Sequence, residues 1–176
     1  IIDKYGNAVS MTSSIEYPFG STIAVDGFLL NNQMTDFSFV PRTHEGWVAN
    51  RVEGGKRPRS SMAPTLVFDA QGQLTHVLGS PGGPAIINYV AKTLVGLLDW
   101  KLDVQAAIDL PNVGSTNGPT FIERGSAWED LGDALSARGH VLSFRPMTSG
   151  VHAIERIANG WRGGADPRRE GQAAGH

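Results

Sequence analysis

A glycine-rich segment, residues 79–83 (Gly-Ser-Pro-Gly-Gly), has the residue types that most directly suggest chemistry. A predicted strand at 74–78 leads into it, and a run with helical spacing follows at once. Consecutive backbone N–H groups with the positive end of a helix dipole behind them suit a developing negative charge. The segment is therefore a candidate oxyanion site. The alternative, which is commoner for an isolated Gly-Gly pair, is that Gly79, Gly82 and Gly83 only permit a tight strand-to-helix turn.

Two polar segments offer groups that suit an amino-acid ligand. Residues 31–38 (Asn-Asn-Gln-Met-Thr-Asp-Phe-Ser) bring together amides and a carboxylate, which suits an ammonium group, although fixing a turn is their commoner use. Residues 54–64 place two hydroxyls, Ser60 and Ser61, after three cations and between prolines that restrict the backbone. That arrangement suits a carboxylate, and a solvated basic loop is the commoner alternative.

A third polar pattern lies near the amino terminus. Residues 1–3 and 8–12 flank a turn cluster and predict a β-hairpin whose second strand continues to residue 16. Alternation along that strand puts four polar side chains on one face, those of Ser10, Thr12, Ser14 and Glu16. Such a face either lines a site or is exposed to solvent, and the residues alone favour neither.

The elements that must position these groups are short and are punctuated by 22 glycines and 10 prolines. A spacing of three and four predicts a helix over 84–100, Asp103 caps a shorter helix, and a third helix contains Trp128 and ends at Gly139. The predicted strands of this part of the chain are 65–68, 74–78, 140–144 and 151–154. Strands, then helices, then strands favour an α+β fold of stacked layers.

Length and composition fit one globular domain over residues 1–176, with 40% hydrophobic and 18% charged residues. A formal net charge of -2 with scattered basic residues argues against nucleic acid as a partner. We expect no membrane span, because no apolar run reaches membrane length, and no metal or cofactor, because the five histidines lack ligand spacing and cysteine is absent.

The two ends of the chain raise separate expectations. By composition alone, residues 163–176 are small and polar and predict a disordered tail. The first residue is isoleucine rather than methionine, so we expect a fragment or a processed product.

Taken together, six segments in order resemble the small, C-terminal subunit of the γ-glutamyltranspeptidases, members of the N-terminal nucleophile hydrolases. The segments are residues 6–10, 19–21, 30–38, 55–65, 79–83 and 165–168. The resemblance covers nearly the whole chain, and it implies that the final segment is ordered rather than a tail. It also implies a four-layer αββα sandwich completed by a large subunit, since three predicted helices are too few to cover two sheets.

The resemblance implies an acyl transfer on glutathione and related γ-glutamyl amides. In the family a precursor cleaves itself, and the threonine exposed at the start of the small subunit attacks the amide with its own amine as base. Water, or an amino acid or peptide amine, then resolves the γ-glutamyl enzyme. The implied roles here are oxyanion donors at Gly82 and Gly83, α-carboxylate binding at Ser60 and Ser61, α-ammonium binding at Gln33, Asp36 and Glu16, and support of the nucleophile at Ser14.

Three departures from the family pattern bear on function. The family's Thr-Thr-His-x-Ser lead is expected just before Ile1, so we expect the chain alone to lack the nucleophile and to be inactive. Glu16 replaces an asparagine and adds a second carboxylate beside Asp36, which suits an ammonium and raises the cost of binding acyl groups without one. Thr35 stands where an acidic residue is common, and these segments resemble a bacterial branch that includes cephalosporin acylases.

Two alternatives to a γ-glutamyltransferase stay open. One is a cephalosporin or glutaryl acylase of the same family, and the other is a non-catalytic binding subunit with no threonine encoded before Ile1. The resemblance also implies a periplasmic or extracellular location, with the cytoplasm as the alternative.

Overall fold

The computed structural model of the chain describes residues 1–175. His176, the last residue of the disordered tail predicted from composition, lies outside the described residues. The described residues divide into two units. The first contains residues 1–12 and 61–175, and the second contains residues 13–60. Within residues 1–175, no helix combines the length and the hydrophobicity needed to cross a membrane.

Short strands and helices alternate along both units. In chain order the strands are β1 (Ala24–Val25), β2 (Phe28–Leu29), β3 (Arg42–Thr43), β4 (Gly46–Trp47), β5 (Thr65–Phe68), β6 (Leu74–Gly79), β7 (Val113–Gly114), β8 (Thr120–Glu123), β9 (Leu142–Arg145), β10 (His152–Ile157) and β11 (Gly160–Ala165). The α-helices are α1 (Ile86–Leu98), α2 (Val104–Asp109) and α3 (Gly132–Ser136). Segments of 3-10 helix cover Gln33–Asp36, Gly83–Ala85 and Ala127–Leu131.

The main sheet of the first unit has four antiparallel strands in the order β11-β10-β6-β5. The predicted β5–β6 hairpin is confirmed, because Asp69 Oδ1 accepts the N–H groups of Gln71 and Gln73 at 2.9 and 2.8 Å and closes the turn. A smaller sheet has the order β7-β8-β9, with β8 parallel to β9. Residues 163–165 belong to β11, so the prediction of a disordered tail from composition is wrong for these residues.

Helices α1 and α2 form the core of the first unit with the main sheet. The predicted helix over 84–100 is confirmed as α1, with the 3-10 turn before it. The predicted cap of α2 is confirmed too, since Asp103 Oδ1 accepts the Ala106 N–H at 3.0 Å. The buried core consists of Leu78, Ile86, Tyr89, Val90, Leu97, Val104, Ala107, Ile108, Met147, Val151 and Ala153. The start of α1 is therefore anchored against the end of β6, where the glycine-rich turn lies.

The predicted second strand of the amino-terminal hairpin is not formed. A single bridge forms at the first turn, but residues 10–16 pair with no strand. Ser10 is held by its side chain instead, which donates to Leu78 O at 2.8 Å. Glu16 has a φ of 75°, which lies outside the β region. The polar strand face predicted for this segment is therefore wrong.

The second unit is made of two hairpins, β1–β2 and β3–β4, and a 3-10 turn. Phe37 is buried, at 5% exposed, whereas most apolar side chains of this unit are exposed. The guanidinium groups of Arg42 and Arg51 lie over the Trp47 ring, 5.6 and 5.1 Å from its centre. Local polar contacts, rather than an apolar core, therefore define much of the structure of this unit.

Candidate active site

The glycine-rich turn joins β6 to α1 through the 3-10 helix Gly83–Ala85. Gly82 has a φ of 137° and Gly83 a φ of 57°, in the left-handed region that other residues rarely adopt. Their carbonyls accept the N–H groups of Ala85 and Ile86. Among residues 1–175, no group accepts a hydrogen bond from the N–H of Gly82 or Gly83. Two adjacent donors at the start of a helix are therefore available to an external oxygen.

Packing fixes this turn on two sides. On one side is the Tyr89 ring, and a Cβ built on Gly82 would stand 2.6 Å from its Cε2 atom. On the other side is Gly150, and a Cβ built there would stand 2.7 Å from Pro81 Cγ. Within the turn, Ser80 Oγ donates to Pro81 O at 2.7 Å. A turn held in this way is preorganised, as stabilisation of a transient charge requires.

The 3-10 turn of the second unit is built by asparagine side chains. Asn31 Oδ1 accepts the Gln33 N–H at 3.0 Å, and the Asn32 side chain donates to Thr35 Oγ1 at 3.1 Å. The Asn50 side chain donates to the Asp36 carbonyl at 2.6 Å. This local bonding is the usual role of asparagine in turns, and here it also fixes the backbone that carries Gln33 and Asp36.

The carboxyl groups of Glu16 and Asp36 lie close enough for the charge of Asp36 to act on Glu16. Loss of solvent, then the charge of Asp36 and the hydrogen bond with it, raise the pKa of Glu16 above its ordinary 4.5, and Arg59 opposes the shift. Ser14 Oγ accepts the Glu16 N–H at 2.8 Å, which holds Glu16 at its positive φ. A ligand cation such as an ammonium would relieve the repulsion between these carboxylates.

Gln33 adds an unused acceptor in the same 3-10 turn as Asp36. Its Oε1 atom is buried and has no hydrogen-bond partner among the described residues. A buried acceptor without a partner is costly, and a ligand N–H group would satisfy it. Gln33 therefore fits the ammonium-binding role that the sequence implies.

The predicted site residues fall into two groups. The first unit holds Gly82, Gly83 and the half-buried Ser61, and the second unit holds Ser14, Glu16, Gln33, Asp36 and the exposed Ser60. Within residues 1–175, no cluster of three or more histidine, cysteine, aspartate or glutamate side chains is arranged to hold a metal ion.

Sequence reasoning missed three residues that shape these groups. Arg59 stands in the sequence only as one cation of a basic loop, although its charge acts on Glu16. Tyr89 belongs to the buried stripe of a helix, where nothing distinguishes it from other core residues. Gly150 lies far from Gly82 along the chain, and no local pattern indicates that the two approach.

The whole chain matches a known family. Residues 1–176 match the family model described as gamma-glutamyltranspeptidase. The chain is 34% identical over 181 residues to the glutathione hydrolase proenzyme of Bacillus subtilis (strain 168), a match that covers 99% of this chain and 30% of that protein. The chain thus spans about 30% of the length of the curated relatives that it matches first.

Solved structures agree with this match. A γ-glutamyltranspeptidase of Helicobacter pylori is similar with a TM-score of 0.85 and 35% identity, covering 96% of this chain and 97% of that chain. A cephalosporin acylase of Bacillus halodurans is similar with a TM-score of 0.79 and 28% identity, covering 93% of this chain and 31% of that one.

Proposed function

Since the chain belongs to the γ-glutamyltranspeptidase family, we propose that it is the small subunit of an enzyme that hydrolyses or transfers γ-glutamyl groups. The observation that carries the proposal is the pair of unbonded N–H groups at Gly82 and Gly83, in a turn that only glycine readily adopts. Such a pair suits the tetrahedral oxyanion of acyl transfer.

The reaction that we propose has two halves. The hydroxyl of a threonine expected just upstream of Ile1 attacks the γ-carbonyl of the substrate, and the amine of that threonine takes the proton. Gly82 and Gly83 stabilise the oxyanion, which collapses and releases the leaving amine with that proton. Water or an acceptor amine then attacks the γ-glutamyl ester through a second oxyanion at the same donors, which restores the free threonine.

Substrate recognition is assigned to polar groups of the second unit, including Ser60, and to Ser61 of the first unit. Asp36, Glu16 and Gln33 bind the α-ammonium. The charge that Asp36 exerts on Glu16 and the unpartnered Gln33 Oε1 support this role. Ser60 and Ser61 bind the α-carboxylate, since hydroxyls donate well to carboxylates. Ser14 supports the threonine hydroxyl.

The partner that we propose is a large subunit from the same precursor. The relative from Bacillus subtilis is a proenzyme of which this chain spans 30%. Large apolar side chains are exposed along α1 and just after it, namely Ile87, Val95, Leu98 and Trp100. Exposed apolar side chains grouped in this way are typical of protein interfaces.

The acylase alternative is the second candidate, favoured by the similarity to the cephalosporin acylase. The carboxyl pair of Glu16 and Asp36 argues against it, because an acyl group without an ammonium leaves two repelling carboxyl groups unpaired. The two candidates therefore differ in what they require of the substrate's α-amino group.

The test is hydrolysis of γ-glutamyl-p-nitroanilide and glutaryl-p-nitroanilide, which differ by that amino group, by the complete self-cleaved precursor. We expect kcat/KM to favour the γ-glutamyl compound by about one to two decades, from a charge-assisted contact of about 1.5–3 kcal/mol. Equal values for the two anilides would contradict the proposal and support an acylase.

The non-catalytic alternative has its own test. The residues encoded immediately before Ile1 should include the family's threonine if the protein is an enzyme. Another residue at that position would support a binding subunit instead.

A further inference from the structure

Hydrogen bonds connect the glycine-rich turn to a segment near the other end of the chain. The side chain of Ser80 is buried, at 2% exposed. Its Oγ donates to Pro81 O at 2.7 Å and accepts the Gly150 N–H at 3.3 Å. Ser80 therefore holds the residue that precedes Gly82, and Gly150 holds Ser80.

Gly150 is fixed in turn by Asp166, which binds the residues on either side of it. Asp166 Oδ2 accepts the Ser149 hydroxyl at 2.6 Å and the Val151 N–H at 3.2 Å. Burial alone would raise the pKa of Asp166, but these bonds, together with those from Arg168, lower it. The carboxylate therefore stays ionised at neutral pH, and a charged acceptor makes stronger hydrogen bonds than a neutral one.

Gly150 also packs directly against the turn. A Cβ built on Gly150 would stand 2.7 Å from Pro81 Cγ and 2.8 Å from Arg169 Cδ. Its φ lies outside the left-handed region, so space rather than backbone conformation requires glycine here. The same residue thus contacts the turn through a hydrogen bond and through its packing.

We propose that Ser80 is a positioning residue for the oxyanion donors Gly82 and Gly83, and that Asp166 acts on these donors through Gly150 and Ser80. The proposal rests on the γ-glutamyl transfer proposed above. Catalytic donors must be held within about 0.5 Å of their productive position, and a displacement of about 1 Å can cost a hundredfold in rate. Ser80 and Asp166 act by fixing that position.

A double-mutant cycle tests the route in the complete self-cleaved enzyme, with γ-glutamyl-p-nitroanilide as substrate. Ser80→Ala removes the shared hydroxyl, and Asp166→Asn removes the charge that fixes Gly150. Each variant should lower kcat about tenfold to hundredfold and change KM less than about threefold, because the donors act on the transition state. Since both act through one set of contacts, the fold loss of kcat in the double variant should be at most about twice that of the more impaired single variant, rather than the product of the two losses.

A second variant disturbs the turn without removing a polar group. Gly150→Ala should push Pro81 and lower kcat with little change in KM. Its matched control is Gly118→Ala, because a Cβ built on Gly118 meets nothing within 4 Å. The control for Asp166→Asn is Glu155→Gln. Glu155 is also a buried carboxylate, 8% exposed, and it pairs with Arg162 at 3.3 Å in β10 of the main sheet. Both controls should keep kcat within about twofold, because the hydrogen bonds and the ion pair described for Gly118 and Glu155 do not involve residues 79–83.

Amide exchange gives a measurement that needs no turnover. The N–H groups of Ala85 and Ile86 donate to the carbonyls of Gly82 and Gly83, so their exchange rates report whether the turn is intact. Ser80→Ala and Asp166→Asn should speed both amides about tenfold or more relative to Glu155→Gln.

These outcomes separate the two proposals. An inactive wild-type enzyme with the upstream threonine overturns the proposed function, and the exchange rates then decide the positioning route alone. If the wild type is active, three results in Ser80→Ala and Asp166→Asn overturn the positioning route and leave the proposed function standing. These results are unchanged amide exchange, additive losses in kcat, and losses confined to KM.

Discussion

The ring of Tyr89 lies directly against Gly82. A Cβ built on Gly82 would stand 2.6 Å from Tyr89 Cε2, and the φ of Gly82 is 137°. The neighbouring Gly83 has a φ of 57°, but a Cβ built there meets nothing within 4 Å. The two proposed donors are therefore constrained differently: Gly82 requires glycine for space and for conformation, and Gly83 for conformation alone.

The first prediction follows from this difference. Gly82→Ala should lower kcat about a hundredfold or more, because the clash with Tyr89 misplaces a donor worth on the order of 3 kcal/mol. Gly83→Ala keeps its N–H and costs about 1–2 kcal/mol of backbone strain, so it should lower kcat less than about tenfold. Steady-state kinetics on the complete enzyme measure both. Equal losses in the two variants, or losses in KM alone, would contradict these roles.

Asp36→Asn should raise KM for γ-glutamyl-p-nitroanilide about tenfold to hundredfold through loss of the charge-assisted contact. KM for the glutaryl compound should change less than about threefold, since that compound has no ammonium to bind. The matched control is Asp26→Asn, which neutralises an exposed carboxylate of the same unit at a φ of 49° that asparagine tolerates. A similar rise in KM on both anilides would show that Asp36 acts on structure rather than on the ammonium.

Ionisation of Glu16 should determine how kcat/KM falls at acidic pH, which is the acidic limb of its pH profile. Loss of solvent and the neighbouring Asp36 raise its pKa above 4.5, and binding of an ammonium needs the carboxylate form. Activity should therefore fall as the pH drops through this raised pKa. Asp36→Asn removes the neighbouring charge and should move the limb to lower pH, which the profile between about pH 4 and 7 measures. If neither Asp36→Asn nor Glu16→Gln shifts the acidic limb, the limb belongs to another group and the prediction is contradicted.

Lys92 should make stability depend on alkaline pH. Its Nζ donates to the carbonyls of Ile108 and Leu110 at 2.9 Å each, and burial, then the charge of Arg168, lowers its pKa from 10.5 to about 8. Between these values the unfolded chain binds a proton that the folded chain does not. The free energy of unfolding should therefore rise with pH across this window.

Urea denaturation of the complete protein between about pH 7.5 and 10.5 measures this slope. Lys92→Met should remove the part of the rise that Lys92 causes, whereas Lys4→Met, at an exposed lysine, should keep it. Identical slopes in the wild type and in Lys92→Met would show that Lys92 stays protonated in the folded protein throughout the window.

The main elements of the first unit could be predicted because they depend on neighbours in sequence. The spacing of apolar residues predicted α1, and Asp103 caps α2 as its position indicated. The predicted N-terminal nucleophile hydrolase fold is confirmed by the similarity to solved γ-glutamyltranspeptidases, and it came from the ordered segments rather than from any local pattern. The roles of Gly82 and Asp36 stay predictions.

The features that sequence reasoning missed depend on distant contacts. Ser10 alternates like a strand residue, but its hydroxyl bonds to Leu78 O. Gly163 belongs to a segment whose composition suggests a tail, yet it lies in β11, where a Cβ would stand 2.8 Å from Ala173 Cβ. The bond from Gly150 to Ser80 joins two loops whose sequences give no sign of each other.

The central claim is that a γ-glutamyl enzyme forms on the upstream threonine while Gly82 and Gly83 hold the oxyanion. Mass spectrometry of the self-cleaved enzyme, quenched in acid during turnover of γ-glutamyl-p-nitroanilide and then digested, tests it most directly. We predict one γ-glutamyl group on the amino-terminal threonine of the small subunit. In Gly82→Ala this group should accumulate more slowly, so samples quenched within the first turnover of the wild type should contain far less of it. An enzyme that turns over without acylating this threonine, or that carries the acyl group on another residue, would contradict the account.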